Sequence, residues 1–97
     1  MKDLRFEWDP IKDRANQKKH GVSFAEAKTV FLDEFARIID DPDYAEGEER
    51  FLMLGMSIGL RMLVVCHCLR GSGHVIRIIS ARRADASERK EYARYLP

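Results

Sequence analysis

The residues of this sequence best suited to chemistry are its arginines. Eight of the nine basic side chains in residues 50–97 are arginine: Arg50, Arg61, Arg70, Arg77, Arg82, Arg83, Arg89 and Arg94. Lysine would serve solubility equally well, whereas the planar, multi-donor guanidinium matches the oxygens of phosphate or carboxylate. Arg77 stands out because it sits in HVIRIIS, between Ile76 and Ile78. A cation in an apolar strand is costly unless it meets a partner or solvent. Two readings are open for it: an ion pair with one of the acidic residues at 46–49, or contact with a phosphate. Arg82 and Arg83 follow in SARRADASE. Adjacent residues at a strand end point opposite ways, so at most one is expected to join Arg77; the bland alternative for the pair is a solvated basic turn.

Proton transfer has fewer candidates. His20, with Lys19 before it, closes the first predicted helix, where a histidine is either a surface residue favoured by the helix dipole or a group able to exchange a proton near neutrality. Glu48 and Glu49 end an acidic stretch that also holds Asp40, Asp41, Asp43 and Glu46. That stretch reads as a solvated loop, a source of a general base, or a set of counterions for the arginines. His67 lies in the most apolar run and reads as a hydrogen-bonded core or cleft residue; His74 falls at a hairpin edge and is expected to be exposed. Cys66, His67 and Cys68 are clustered but lack a second pair of ligands, so neither a metal nor another cofactor is expected. The two cysteines read as small buried hydrophobes in a reducing compartment.

The net charge of +1 conceals a division. Residues 1–49 hold 13 acidic and 8 basic side chains; residues 50–97 hold 3 acidic and 9 basic, so the halves carry −5 and +6. A near-neutral whole would argue against nucleic-acid binding, and the asymmetry restores it. The chain has 97 residues, which implies one domain over 1–97. It has no apolar run long enough for a bilayer, and MKDLRFEWDP lacks the apolar core of a signal peptide, so a cytoplasmic protein without membrane contact is expected.

These side chains need elements to position them, and the pattern predicts the order β-α-α-β-β-β-β-α. Residues 4–8 alternate apolar and charged, as in a short strand. Asp9-Pro10 opens a helix that runs to His20, with Gly21 as its left-handed terminator. Ser23 and Glu26 form a capping box for a second helix ending near Leu32. Strands follow at 36–40, 50–56, 61–69 and 74–80, joined by short turns and therefore antiparallel. Asp85, with Glu88 three residues on, caps a last helix carrying Tyr92 and Tyr95. Helices and strands so segregated imply an α+β sandwich whose helices cover one sheet face and leave the other free to bind. Within strands, Arg61, Leu63, Val65 and His67 share one face, as do Val75, Arg77 and Ile79.

Four segments, FEWDPIKDRANQKKHGVSFAEA, DDPDYAEGEER, LGMSIGLRMLVVCH and IRIISARRADASERKEY, together strongly resemble the BrnT family of toxin–antitoxin proteins over residues 6–92. The order KHGVSF, EER, ISARRA is specific as a set and weak piece by piece. The resemblance implies a RelE-like fold and an RNA-cleaving toxin that arrests translation. It also implies a cognate ribbon-helix-helix antitoxin (BrnA-like) that neutralises the toxin and contacts operator DNA, which the toxin would reach only through that complex. For site residues it points to Lys19 or His20, Glu48 or Glu49, and Arg61, Arg77, Arg82 and Arg83. Arg70 is not carried over, because the RGSGH hairpin varies in length among relatives.

Metal-free RNA cleavage proceeds by attack of the 2′-oxygen on the adjacent phosphorus. It needs removal of the 2′-OH proton, stabilisation of charge on the phosphoryl oxygens and protonation of the leaving 5′-oxygen. Arg61, Arg77 and Arg83 suit the second task. Glu48, Glu49 or His20 would act as base, and His20 or a perturbed arginine as acid. The alternative from another class is a non-catalytic nucleic-acid-binding regulator that uses the same arginine face.

Overall fold

The first strand, β1, is Arg5–Glu7, and the chain then turns into helix α1, Pro10–His20. Asp9 caps α1 by accepting the Ile11 N–H at 2.8 Å, and Gly21 ends it at φ 70°, a conformation that glycine adopts without strain. Ser23 caps α2, Phe24–Ala27, which tightens at once into a 3-10 helix over Lys28–Leu32 where a longer α-helix is expected. The tightening coincides with the β-branched pair Thr29–Val30, poor helix formers, and Thr29 turns its hydroxyl back onto the Glu26 carbonyl at 2.6 Å. Four strands follow: β2, Arg37–Ile39; β3, Phe51–Met56; β4, Met62–Arg70; and β5, Val75–Arg83. Helix α3, Ala86–Ala93, closes the chain under a complete Asp85/Glu88 capping box; Tyr95 lies past its end. The computed structural model describes residues 4–41 and 50–97.

The five strands form one sheet in the order β1-β5-β4-β3-β2. β2 to β5 pair antiparallel, with short turns joining β3 to β4 and β4 to β5, but β1 lies parallel to β5, with Glu7 opposite Arg77, so the sheet is mixed. No hairpin joins β1 to β5; almost the whole chain runs between them, and nothing local fixes their relative direction. β5 also extends three residues beyond its expected end, which places Arg82 and Arg83 on the strand instead of in a turn.

Two separate cores lie on opposite sheet faces. Leu63, Val65, Ile78 and Ala81 pack on one face against Val22, Phe24, Ala27 and Val30. Leu52, Leu54, Val64 and Cys66 pack on the other with Ala84 and Tyr92. Gly55 lets β3 press against the 3-10 helix: a Cβ there would come within 2.8 Å of both Ala36 Cβ and Val30 Cγ1. α3 is pinned by Tyr92, whose hydroxyl donates to Asp33 Oδ2 at 2.7 Å, while Asp33 also accepts the N–H groups of Met56 and Phe35. Burial opposes ionisation of Asp33, but these donors outweigh it and hold the carboxyl below its ordinary range; burial and the same contact push Tyr92 up to about 12. α3 therefore covers the β3 side of the face expected to be free, and among the described residues the corner made by β1, β5 and β4 stays open.

α1 runs beside β5 beyond the end of β1. Its one buried side chain, Asn16, donates to the carbonyls of Val22 and Ala81, both at 2.8 Å, and accepts the Ala81 N–H at 3.1 Å. The amide thus completes the β5 hydrogen bonding that β1 leaves unmade. Among the described residues, no helix is long and apolar enough to cross a membrane.

Candidate functional site

The arginines divide into two groups on opposite sides of the sheet. Arg61 precedes β4 on the face covered by α2. Its Nε donates to Glu26 Oε2 at 2.9 Å, its Nη2 donates to Glu26 Oε1, and the same nitrogen reaches the Gly21 carbonyl at 3.1 Å. Ser57, buried in the β3–β4 turn, donates to Glu26 Oε2 at 2.7 Å, and the Ile58 N–H reaches Thr29 Oγ1 at 2.9 Å. The Arg61 guanidinium beside Glu26 holds this carboxyl below its ordinary value; burial resists, while Ser57 and the charge of Arg83 assist. Glu26 was expected to reach back to its own helix start. Ser23 does accept the Glu26 N–H at 3.0 Å, but the carboxylate turns to Arg61 instead. A two-point, charge-assisted pair outweighs one neutral backbone donor.

The second group occupies the open corner. Arg77 Nη1 donates to Glu7 Oε2 at 2.7 Å, and Arg70 Nε lies 3.8 Å from the same oxygen. Arg77 uses one nitrogen in this contact; among the described residues its others have no hydrogen-bond partner. The side chains of Arg77 and Glu7 remain 31% and 42% exposed. Register adds neighbours: Glu7, Arg77 and Cys68 lie directly across from one another, and Arg5 and Arg70 flank Val75 on the same face. Two guanidinium groups approach one carboxylate, with Arg5 on the same strand face, so among the described residues the corner carries more positive than negative charge. Arg50, 3.7 Å from Asp41, approaches the same face from β3 and lowers the pKa of the Cys66 thiol against the larger upward effect of burial.

A register shift beside Cys66 and His67 sets which β5 residues share this face. His67 pairs with Ile78 and Cys66 with Ser80, so Ile79 is an extra residue, a β-bulge. The parity of β5 inverts there, and Arg82 joins Arg77's side while Arg83 faces the other, opposite Leu63. Arg82 is already committed: its Nη1 and Nη2 donate to the two oxygens of Glu88 at 2.8 and 2.9 Å. Beside the bulge is a shallow pocket of about 200 Å³ lined by Lys12, Ala15, Asn16, Lys19, His20, Ile79 and Ser80. Lys19 is exposed and His20 half-buried on its rim.

Arg61, Arg77 and Arg83 thus do not converge as expected. Arg61 and Arg83 flank Glu26 on the helix-covered side, and Arg77 projects from the other. Parity along each strand was legible, but which rows of two strands face the same way depends on register, here Leu63 with Arg83 and Cys68 with Arg77. The open reading of Arg77 as ion-paired holds, though its partner is Glu7 in β1 and not an acidic residue at 46–49. Glu48 and Glu49 lie outside the described residues. His67 is 3% exposed, its Nδ1 3.3 Å from the Val65 carbonyl, between the rings of Phe31 and Phe51. Burial lowers its pKa, which marks it as a neutral core residue. Arg5, Glu7 and Arg70 were not among the expected site residues. The alternation of residues 4–8 does place Arg5 and Glu7 on one face, but the sequence gives no sign that β1 lies beside β5.

No curated protein matches this chain. The crystal structure of the Brucella abortus ribonuclease toxin BrnT superposes on it with a TM-score of 0.65 at 24% identity, over 86% of this chain and 99% of that one, a likeness of fold. A family model for the BrnT ribonuclease toxin of type II toxin–antitoxin systems matches residues 8–88. That span contains α1, every strand but β1, and both arginine groups except Arg5 and its neighbour Glu7, and it shows that the chain belongs to the BrnT family of ribonuclease toxins.

Proposed function

We propose that this chain is an endoribonuclease toxin that cuts RNA without a metal, inhibits translation, and binds the scissile phosphate through Arg77 with Arg70 and Arg5 beside it. The carrying observation is the open guanidinium of Arg77: it is held in place by one oxygen of Glu7 and keeps its remaining donors for a ligand. Oriented donors of this kind stabilise charge that develops on phosphoryl oxygens, which is the task a metal ion would otherwise perform. Lys19 on the rim meets the RNA backbone, and His20 protonates the leaving 5′-oxygen. Ser80 at this rim lies three strand residues from Arg77, a rise of about 10 Å.

Family membership supports a type II antitoxin as partner, here a ribbon-helix-helix protein that carries the pair to operator DNA. A partner presenting carboxylates would neutralise the positive corner and exclude RNA. The RelE-like ancestry drawn from the sequence belongs to the same reading.

Incubating the purified protein with single-stranded RNA in EDTA, beside Arg77→Ala, tests the proposal. Cleavage by the wild type and its loss in the variant support it. Salt-sensitive RNA retention with no cleavage makes the chain a binding regulator instead.

A further inference from the structure

From the geometry of the open corner we infer that Glu7 is the general base of the RNA-cleaving reaction, an inference that rests on the ribonuclease reading above. Glu7 Oε2 is held by Arg77 at 2.7 Å and approached by Arg70 at 3.8 Å, while Oε1 has no hydrogen-bond partner among the described residues. The side chain is neither buried nor mobile in the manner of a lone surface carboxylate: its strand pairs in register with β5, and its head is tied on one side only. An arginine that holds a carboxylate with one nitrogen and a phosphate with the others places them side by side. That is the spacing required of a base for the 2′-OH next to the scissile phosphate, since a base must lie within hydrogen-bond reach of the proton it takes.

The step balances as follows. Glu7 Oε1 takes the 2′-OH proton, and the 2′-oxygen forms a bond to phosphorus. The bond from phosphorus to the 5′-oxygen breaks, and that oxygen takes a proton from His20. The products are a 2′,3′-cyclic phosphate and a free 5′-hydroxyl. Arg77 and Arg70 face the growing negative charge throughout. The charged and titratable groups around Glu7 are Arg77 from β5, Arg70 and Cys68 from β4, and Arg5 two residues away on its own strand. An acid limb in the pH–rate profile would report the loss of the base as it is protonated.

The test compares wild type, Glu7→Gln and Glu7→Asp on a short single-stranded RNA, with kcat/KM followed from pH 4 to 9 alongside RNA affinity and Tm. Glu7→Gln is expected to lose about 10²–10⁴-fold in kcat/KM, to shed the acid limb, and to bind RNA at least as tightly as wild type because a repelling charge is gone. Glu7→Asp should retain the limb at a reduced rate. Glu7→Ala with added formate supplies a second route: recovered cleavage identifies a missing base independently of small changes in folding. An acid limb that persists in Glu7→Gln overturns the inference, as does a limb that disappears instead in Glu48→Gln or Glu49→Gln. A wild-type protein that binds RNA and never cuts it defeats the ribonuclease reading itself.

Discussion

Arg61 and Arg77 are the same residue type beside the same partner type, yet the two sites are built differently. Arg61 meets both oxygens of Glu26 and a backbone carbonyl through Nε and Nη2, so three of its five donors are taken and only those of Nη1 are left over. Arg77, about as exposed as Arg61, uses one nitrogen on one oxygen of Glu7, and among the described residues its other donors have no partner. The first arrangement fastens the β3–β4 turn to α2. The second holds a cation in position without exhausting it. An arginine's capacity for chemistry is thus set by how many of its five donors the fold leaves over.

The largest effect should come from the open side. Arg77→Ala is expected to lower RNA cleavage about 100- to 1000-fold while leaving Tm close to wild type; full cleavage by this variant would remove Arg77 from the mechanism. Arg61→Ala should do the converse. Losing a charged hydrogen-bond pair costs about 1–3 kcal/mol, seen as a drop of several degrees in Tm, with cleavage per folded molecule within about threefold of wild type. A cleavage-dead Arg61→Ala with unchanged Tm would break the division between the two sites.

Acid titration sharpens it further. The Glu26 carboxyl is held below its ordinary 4.5 by Arg61, so the clamp contributes its full stability above that value and loses it as pH falls through the lowered one. Glu26→Gln should flatten the stability profile below about pH 4.5. His67, lowered by burial, acts in a higher window: the unfolded chain takes up its proton first, so stability declines as pH drops below 6.5, and His67→Leu should abolish that part of the slope. Chemical denaturation at stepped pH reads both. The smallest effect is expected of Arg83→Ala. Arg83 is exposed on the clamp side and adds only a distant charge to Glu26, so changes in both Tm and cleavage should be slight. A hundredfold loss of cleavage there would return Arg83 to the phosphate site.

Much of the fold was legible in local chemistry. Asp9-Pro10 and Gly21 fixed both ends of α1, Asp85 and Glu88 the start of α3, and alternation and turns located all five strands. What stayed hidden was non-local. The parallel seating of β1, the extra residue at Ile79 and the outward row of each strand depend on register between distant segments. The candidate site was hidden for the same reason. Arg77 was conspicuous because a charge interrupted an apolar strand, whereas Glu7 lies 70 residues away and looks like any exposed polar position until β1 is laid against β5. Arg61 looked equivalent to Arg77 because the sequence shows that a cation is present and not whether a carboxylate already encloses it.

The Asn16 amide has one more implication. A β-sheet ends in two margins where another chain can add a strand, and recruitment there is a common route to unwanted polymers. Beyond β1, this protein caps the uncovered backbone of β5 at Ala81 with a single side chain from its own helix. Strand addition along that stretch of β5 is thereby blocked, which leaves β1 and β2 as the two edge strands of the sheet.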